Sequence, residues 1–287
     1  MPTARLAFYA VTPSGPERLS VPAGAQTVDD VYALLALGVY TSLRTYSHHK
    51  FLDLEGHIER TRRSMHALDW EYELDERRLR SALDTACRAF EAPEMRVRID
   101  VLAAPARPLG NEGRELIGLR AFSPPAPEQY RDGVRVRIAR GLHRKDPKVK
   151  QASFVQTRKD HAGELGDAHE WLLADDRGRL LEGVSSNFYA VFGGILRTAA
   201  EGVLEGITRR IVLEQAALAG IPVELEPVLE RDTALLQEAA ISSSSRGLMP
   251  VVAIDDRPIG HGRPGPVVTR LARAYADYVQ REARAAV

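Results

Sequence analysis

Three prolines within four positions, Pro124, Pro125 and Pro127, interrupt the chain inside the segment FSPPAPEQY, residues 122–130. Each proline fixes its own φ and removes a backbone donor, so the run continues neither a helix nor a central strand. It reads as a stiff, extended linker. A chain of 287 residues divides on average into about two domains. The sequence therefore predicts a domain over 1–121, a linker over 122–130 and a second domain over 131–287.

Before the linker, RLAFYAVT reads as a strand ending at a Pro-Ser-Gly turn, and GVYTSLRTY (38–46) as another, with His48-His49 at its turn. DLEGHIERTRRSMHAL carries Leu54, Ile58, Met65 and Leu68 at helical spacing. Residues 75–90 form a clearer helix, with Leu79, Ala82, Leu83, Ala86, Cys87 and Phe90 on one stripe. MRVRIDVL alternates like a strand with one wet face. After the linker come a strand in VRVRIA and a helical stretch ending near Gly166. EWLLADDRGRLLEG reads strand–turn–strand, and SSNFYAVFGGILRT holds two strands joined at Gly193-Gly194. A helix over 208–219 follows, then a strand and short helix through ELEPVLERDTALLQEAA. A serine turn, a strand in MPVVAID and a helix over 266–285 complete the chain. The class is α+β, with antiparallel runs in both halves.

Composition narrows the function. Hydrophobic residues at 44% and charged residues at 27% are ordinary globular usage. Lys plus Arg and Asp plus Glu both number 39, so the total charge gives no reason to expect nucleic acid or an acidic membrane as partner. One cysteine, Cys87, makes no internal disulfide, and no Cys/His cluster has zinc spacing, so no metal site is expected. The first residues lack the basic start and apolar core of a signal peptide, and the uncharged stretch 31–43 is too short for a bilayer. The expectation is a cytoplasmic protein acting on small molecules.

Four features could carry chemistry, each with a plainer meaning when read alone. Gly206, Ile207, Thr208 and Arg209 open a helix, where free N–H groups and the dipole favour an anion. Thr208 read alone is a helix cap. The run from Ser242 to Ser245 could cradle an oxyanion or phosphate, although serine-rich turns are more often only turns. Arg60, Arg62 and Arg63 offer phosphate-binding forks on an early helix, where a solvated face is the usual meaning. Lys150, followed downstream by Glu182, pairs an amine able to form a Schiff base with a carboxylate able to hold a pyridine nitrogen protonated. A single lysine is more often a surface residue.

Together, GVYTSLRTY, HIERTRRS, PKVK, EGVSSNFYAV, LEGITRRIV, SSSSRGLMPVVAID and IGHGRPGPVVTRL resemble the class IV, or fold-type IV, pyridoxal-phosphate enzymes. These are the branched-chain aminotransferases, D-amino acid aminotransferases and aminodeoxychorismate lyases. The resemblance runs from about Gly38 to the C-terminal end. It implies a two-domain α+β fold, with a smaller N-terminal α/β domain and a larger, mostly antiparallel β domain flanked by helices. It further implies pyridoxal 5'-phosphate as cofactor, an amino donor and a 2-oxo acid as substrates, and a homodimer.

Residue by residue, the resemblance makes Lys150 the Schiff-base lysine. Lys159 is the competitor, and the shorter interval from Lys159 to Glu182 barely leaves room for a helix and a strand. Glu182 becomes the partner of the pyridine nitrogen. Arg60, the arginine of His57-Ile58-Glu59-Arg60, becomes the phosphate ligand, with Ile207, Thr208 and Ser244 completing the cradle. Ser185, Ser186 and Asn187 hold the loop beside the ring. Thr41 departs from the family, which often has an acidic residue after the aromatic. The carboxylate traps of the two best-known subgroups are not evident. Tyr40, Arg44 and Ser245 are named as substrate residues, and Arg96 and Arg98 share a strand face that borders the site or solvent. The expected reaction is transamination. The alternative is cleavage of 4-amino-4-deoxychorismate to pyruvate and 4-aminobenzoate.

Overall fold

A computed structural model describes residues 6–25, 28–140, 142, 144, 146–152, 154 and 165–287. The chain divides into two compact units. One comprises residues 1–123, 149–154 and 282–287, and the other residues 124–148 and 155–281. The sequence assigned 131–287 to one domain, whereas two short pieces of that range pack with the first unit. Their backbones are the reason. Residues 149–152 pair with the start of a strand, through Tyr40 N–H to the Lys150 carbonyl and Ala152 N–H to the Gly38 carbonyl. Phe51 and Arg284 exchange both of their backbone bonds.

In the first unit, β1 (Leu6–Thr12), β2 (Gly15–Leu19), β3 (Val39–Tyr46), β4 (Lys50–Phe51), β5 (Met95–Val101) and β6 (Glu115–Ala121) form one antiparallel sheet, ordered β2-β1-β6-β5-β3-β4. Its helices are α1 (Val28–Tyr32), α2 (Leu54–His66) and α3 (Glu76–Ala89). Alternate residues of β1 feed two cores. Ala7, Tyr9 and Val11 join Leu43, Ile58, Leu79, Leu83 and Val97, while Phe8 and Ala10 join Val31, Tyr32 and Leu116. Both sheet faces are therefore covered. β5 alternates as expected over its first four residues, with Arg96 and Arg98 half-buried, and loses the alternation at its end, where Asp100 is buried and Arg98 lies under the rings of Tyr32 and Tyr40. Gly38 is required at the mouth of β3, where a Cβ would stand 2.4 Å from both the Trp70 ring and the Val101 carbonyl.

Helix α2 is capped by Asp53, whose side chain accepts from Gly56 N–H at 3.2 Å. It buries an apolar stripe of Leu54, Ile58 and Met65, and beside it a polar one of His57, Arg60, Thr61 and Ser64. The polar set recurs at i, i+3, i+4 and i+7, which places it on one helical face. In α3, Asp75 is the N-cap and accepts from Arg78 N–H at 3.0 Å.

The second unit begins at Pro124, the first residue of the proline run. Pro127 opens α4 (Pro127–Arg131), since proline suits the first helical turn. The strands are β7 (Val134–Ala139), β8 (Glu170–Ala174), β9 (Leu180–Gly183), β10 (Asn187–Phe192), β11 (Ile195–Arg197), β12 (Val223–Glu224), β13 (Glu238–Ser243), β14 (Gly247–Ile254) and β15 (Arg257–Pro258). The helices are α5 (Ile207–Leu218) and α6 (Pro266–Glu282). The order is β12-β11-β10-β13-β14-β7-β8-β9, with β15 on β14, and most pairs are antiparallel. Strand β9 also pairs with β10, through Asn187 opposite Glu182, so six strands close into a ring. Val136, Ile138, Leu172, Phe188, Ile241 and Met249 fill its core. The architecture is α+β, as the sequence implied. The helical stretch expected before Gly166 falls largely outside the described residues.

The serine run differs from the sequence reading. Ser242 and Ser243 end β13, and the turn joins two strands rather than a helix and a strand. The short helix expected in ELEPVLERDTALLQEAA is present as a 3-10 helix over Glu230–Leu235, and the residues that follow it, from Glu238, are strand. A distant helix holds Glu238 there, because its carboxylate accepts from Val267 N–H at 3.0 Å and Val268 N–H at 2.7 Å and so caps α6. Glu238→Ala strands these two amides in a buried setting. It is expected to lower unfolding free energy by about 2–3 kcal/mol, read as a shifted urea midpoint with an unchanged slope.

Candidate active site

Lys150 is held in the first unit by the backbone pairing of its carbonyl with Tyr40 and by its own N–H, 3.4 Å from Ser64 Oγ. The preceding Val149 is buried in the core of that unit. The sequence placed the lysine at the end of a strand. The structure places it just beyond a turn at Pro147-Lys148, as a short addition to β3. Its Nζ lies 4.9 Å from the centre of the Tyr40 ring.

Beside it, α2 turns its polar stripe inward. Arg60 is only 4% exposed, and its Nη2 donates to Thr41 Oγ1 at 2.9 Å. Thr41 Oγ1 lies 2.6 Å from His57 Nδ1. Burial, and then the positive charges of Arg60 and Lys150, hold the His57 imidazole well below its ordinary value, so it is neutral at neutral pH. Arg60 and His57 are buried against Thr41, and the half-buried Lys150 adds a second positive charge that acts on the ring, an arrangement that favours an anion. Arg62 pairs with Glu76 at 2.8 Å and Arg63 is exposed, so both lie on the solvated face.

Arg44 is engaged elsewhere in this unit. It pairs with Glu94, and its guanidinium lies 4.7 Å from the Tyr46 ring centre and 4.6 Å from that of Phe122. Arg98 makes a fork with Asp100, with bonds of 2.6–3.0 Å, and stacks 3.8 Å from Tyr32 and 4.2 Å from Tyr40. The Tyr32 hydroxyl donates to the same carboxylate at 2.7 Å. Tyr40 therefore meets both Arg98 and Lys150.

In the second unit, Glu182 is 1% exposed at the closing pair of the strand ring. Oε1 accepts from Arg144 Nε at 2.5 Å, and Oε2 from Leu204 N–H at 3.0 Å and Asn187 Nδ2 at 3.5 Å. The Arg144 side chain is 7% exposed. These donors stand in for the water that the buried carboxylate loses. Asn187 also donates to the Leu204 carbonyl at 2.8 Å, which ties the strand end to the approach of α5. There Gly206 is obligatory, since a Cβ would come within 2.0 Å of Asn187 Oδ1.

Gly206 is also the N-cap of α5, with no side-chain capping bond and no acidic residue in the first turn. Thr208 is therefore inside the helix rather than its cap. The first amides of α5, at Ile207 and Thr208, carry the positive end of the helix dipole. The serine run divides its labour. Ser242 Oγ bonds the Tyr189 hydroxyl at 2.8 Å, Ser243 Oγ accepts from Arg246 at 3.0 Å, and Ser244 and Ser245 form the turn itself.

Sequence reading did not single out Glu170 or Arg246. Glu170 accepts from Ser185 N–H at 2.5 Å, Ser185 Oγ at 2.6 Å and Ser186 Oγ at 2.6 Å. Arg246 reaches Glu170 at 3.2 Å and Ser185 Oγ at 2.8 Å. This pair binds the 184–187 loop to the serine turn. Thr41, His57 and Arg144 were also not assigned roles. Spacing carried no separate signal for the α2 residues, since a polar stripe beside an apolar one is the ordinary pattern of a half-solvated helix. Lys159 lies outside the described residues. Among the described residues, no cluster of His, Cys, Asp or Glu is arranged to hold a metal, and no helix is long and apolar enough to cross a membrane.

A model of the amino-transferase class IV family matches residues 38–254. The chain belongs to that family and is an enzyme. It is 28% identical over 246 residues to a Thermotoga maritima protein named "Probable branched-chain-amino-acid aminotransferase", covering 84% of this chain and 86% of that one. A D-alanine aminotransferase from Staphylococcus haemolyticus is 33% identical over 101 residues, 34% of this chain and 36% of the relative. The crystal structure of a T.th. branched-chain amino acid aminotransferase complexed with N-(5'-phosphopyridoxyl)-L-glutamate shares the fold, with a TM-score of 0.79 at 21% identity over 98% of each chain. The fold is that of the fold-type IV aminotransferases.

The Glu170 cluster has a pH signature. Burial pushes the Glu170 carboxyl up, but Arg246 and the Ser185 and Ser186 donors outweigh it, and the net effect lies below the ordinary 4.5. The unfolded chain then binds the proton first, so the stabilisation is full above about pH 4.5 and is lost as pH falls through the folded value. Glu170→Gln is expected to cost about 1–3 kcal/mol at pH 7 and progressively less toward pH 3. Urea denaturation at several pH values measures this.

Proposed function

We propose that this enzyme catalyses pyridoxal-phosphate-dependent transamination between an amino acid or amine and a 2-oxo acid. The observation that carries the reading is the buried Arg60–Thr41–His57 cluster with Lys150 spliced onto the same strand beside Tyr40, within the stretch that matches the family. The residues fit the cofactor's chemical parts. A buried guanidinium suits a phosphate, an anionic Glu182 suits a pyridinium, and the first amides of α5 with the Thr208 hydroxyl suit phosphate oxygens. Bound pyridoxal phosphate would supply an aldehyde for amine capture and a ring that delocalises the electron pair left when a Cα proton departs.

Lys150 is the residue that would hold the cofactor through its amine, and the same amine would move a proton at the substrate's Cα. Arg60, by its buried guanidinium, would bind the phosphate, and by the family resemblance Ile207, Thr208 and Ser244 are phosphate-binding groups of the second unit. Glu182 keeps the ring nitrogen protonated, with Arg144 and Asn187 fixing its carboxylate. Tyr40 and Ser245 border the substrate. Arg44 would have to leave Glu94 to meet a substrate carboxylate. By the family resemblance the working unit is a homodimer. The single, buried Cys87 suits the reducing cytoplasm.

Borohydride reduction of the enzyme loaded with pyridoxal phosphate, followed by peptide mass mapping, is expected to tag Lys150. Lys150→Ala should lose both tag and turnover, and a tag on Lys159 would overturn the assignment. Glu182→Gln should retain cofactor yet slow the single-turnover half-reaction by about 100-fold or more, in the range found for positioned proton-transfer groups. A panel of branched-chain L-amino acids, D-alanine, primary amines and aminodeoxychorismate identifies the donor. Pyruvate release from aminodeoxychorismate without an oxo-acid acceptor would instead establish the lyase reaction.

A further inference from the structure

The connection between α2 and α3 is a strap with a strict alternation. Leu68, Trp70, Tyr72 and Leu74 pack against the core of the first unit, while Asp69, Glu71, Glu73 and Asp75 between them are exposed. A period of two sends successive side chains to opposite sides of an extended chain, yet these residues belong to none of the strands. Side chains hold the strap instead. The Tyr72 hydroxyl donates to Glu115 Oε1 at 2.7 Å, and Arg78 Nη2 donates to the same oxygen at 3.2 Å. Glu115 is 1% exposed, and its Oε2 has no partner among the described residues, so Tyr72 and Arg78 supply the bonds that this buried carboxyl needs. The Arg114 guanidinium lies 4.8 Å from the ring centres of both Trp70 and Tyr72. The Trp70 ring rests on Gly38, in the space a Cβ there would take.

These contacts span one row of the sheet. Glu115 of β6 stands opposite Val101 of β5, Val101 opposite Val39 of β3, and Val39 opposite Gln151. Tyr72 ties the strap to the first residue of that row, and Trp70 covers Gly38 beside the third. The Gly38 carbonyl in turn accepts from the Ala152 amide. We propose that Glu115, Tyr72 and Trp70 are positioning residues that clamp Gly38 and so fix the backbone splice that carries Lys150. They act through the main chain of β3, without touching substrate or cofactor. The inference rests on the assignment of Lys150 above and deepens it, because a reactive amine is only as well placed as the backbone beneath it.

Residue-resolved hydrogen exchange of the full-length enzyme tests the clamp without any ligand. Tyr72→Phe removes one hydroxyl and should speed exchange at the Ala152 and Tyr40 amides by about 10-fold, the scale of one hydrogen bond to a charged group. The Phe51 and Arg284 amides, which bond each other's carbonyls elsewhere in this unit, should stay within about twofold. Trp70→Leu uncovers Gly38 and should loosen the Ala152 and Tyr40 amides further. In parallel, capture of added pyridoxal phosphate by Lys150, timed by borohydride quenching and peptide mapping, should slow in Tyr72→Phe by a comparable factor. Glu238→Ala, a destabilising change in the second unit, should leave that rate at the wild-type value. Unchanged exchange at Ala152 in Tyr72→Phe, or equal acceleration at Ala152 and Phe51, overturns the clamp. Faster exchange with an unaltered capture rate at Lys150 overturns its role in positioning. A tag on another lysine, with the exchange pattern as expected, defeats the Lys150 assignment and establishes the strap's hold on residues 149–152 by itself.

Discussion

Two backbone hydrogen bonds decide where the candidate reactive amine lies. Tyr40 N–H to the Lys150 carbonyl and Ala152 N–H to the Gly38 carbonyl splice residues 149–152 onto the edge of β3. Gly38 itself has no room for a side chain, so the splice and the tight entry to β3 depend on the same position. From this one junction follow the 4.9 Å approach of Lys150 to Tyr40 and its electrostatic influence on His57. A lysine far along the chain is thereby brought to residues of β3 and α2.

The first unit accommodates buried charge by an inversion of ordinary helix logic. α2 sends Arg60, His57 and Ser64 inward along with Ile58 and Met65, and the cost of dehydrating a guanidinium is met by hydrogen bonds and by keeping its histidine neighbour uncharged. The second unit meets the same difficulty with opposite sign. Glu182 sits at the seam of the strand ring, where Arg144, Asn187 and the Leu204 amide supply donors. In both units the polar groups best suited to a charged ligand are also parts of the packing, so their removal would affect stability as well as chemistry.

Much of the fold was legible in the sequence because period and turn chemistry are local. The stripe in α3, the Gly193-Gly194 hairpin and the proline run each report on a few neighbouring residues. Two readings fell short for a shared reason. Alternation left the Arg96 and Arg98 face open between the site and solvent, yet Tyr32 and Tyr40 cover Arg98. The serine run was read as following a helix, yet the short helix ends at Leu235 and Glu238 is drawn into strand β13, where it caps α6. In each case a partner distant in the chain overrode the local pattern. The candidate site was legible only through resemblance to a family, since Lys150, Arg60 and Glu182 are unremarkable when taken singly.

The amino-acid sequence by itself determined the elements, the break after the first domain, the family and the residue types available for chemistry, because these depend on short-range periodicity and motif order. Tertiary structure alone decided that Lys150 packs with the first unit, that Arg60 rather than Arg62 or Arg63 is buried, that Arg44 is occupied by Glu94, and that Thr41 joins Arg60 to His57. Those outcomes depend on which groups lose water together, and desolvation is a property of the assembled core that no local stretch of sequence encodes.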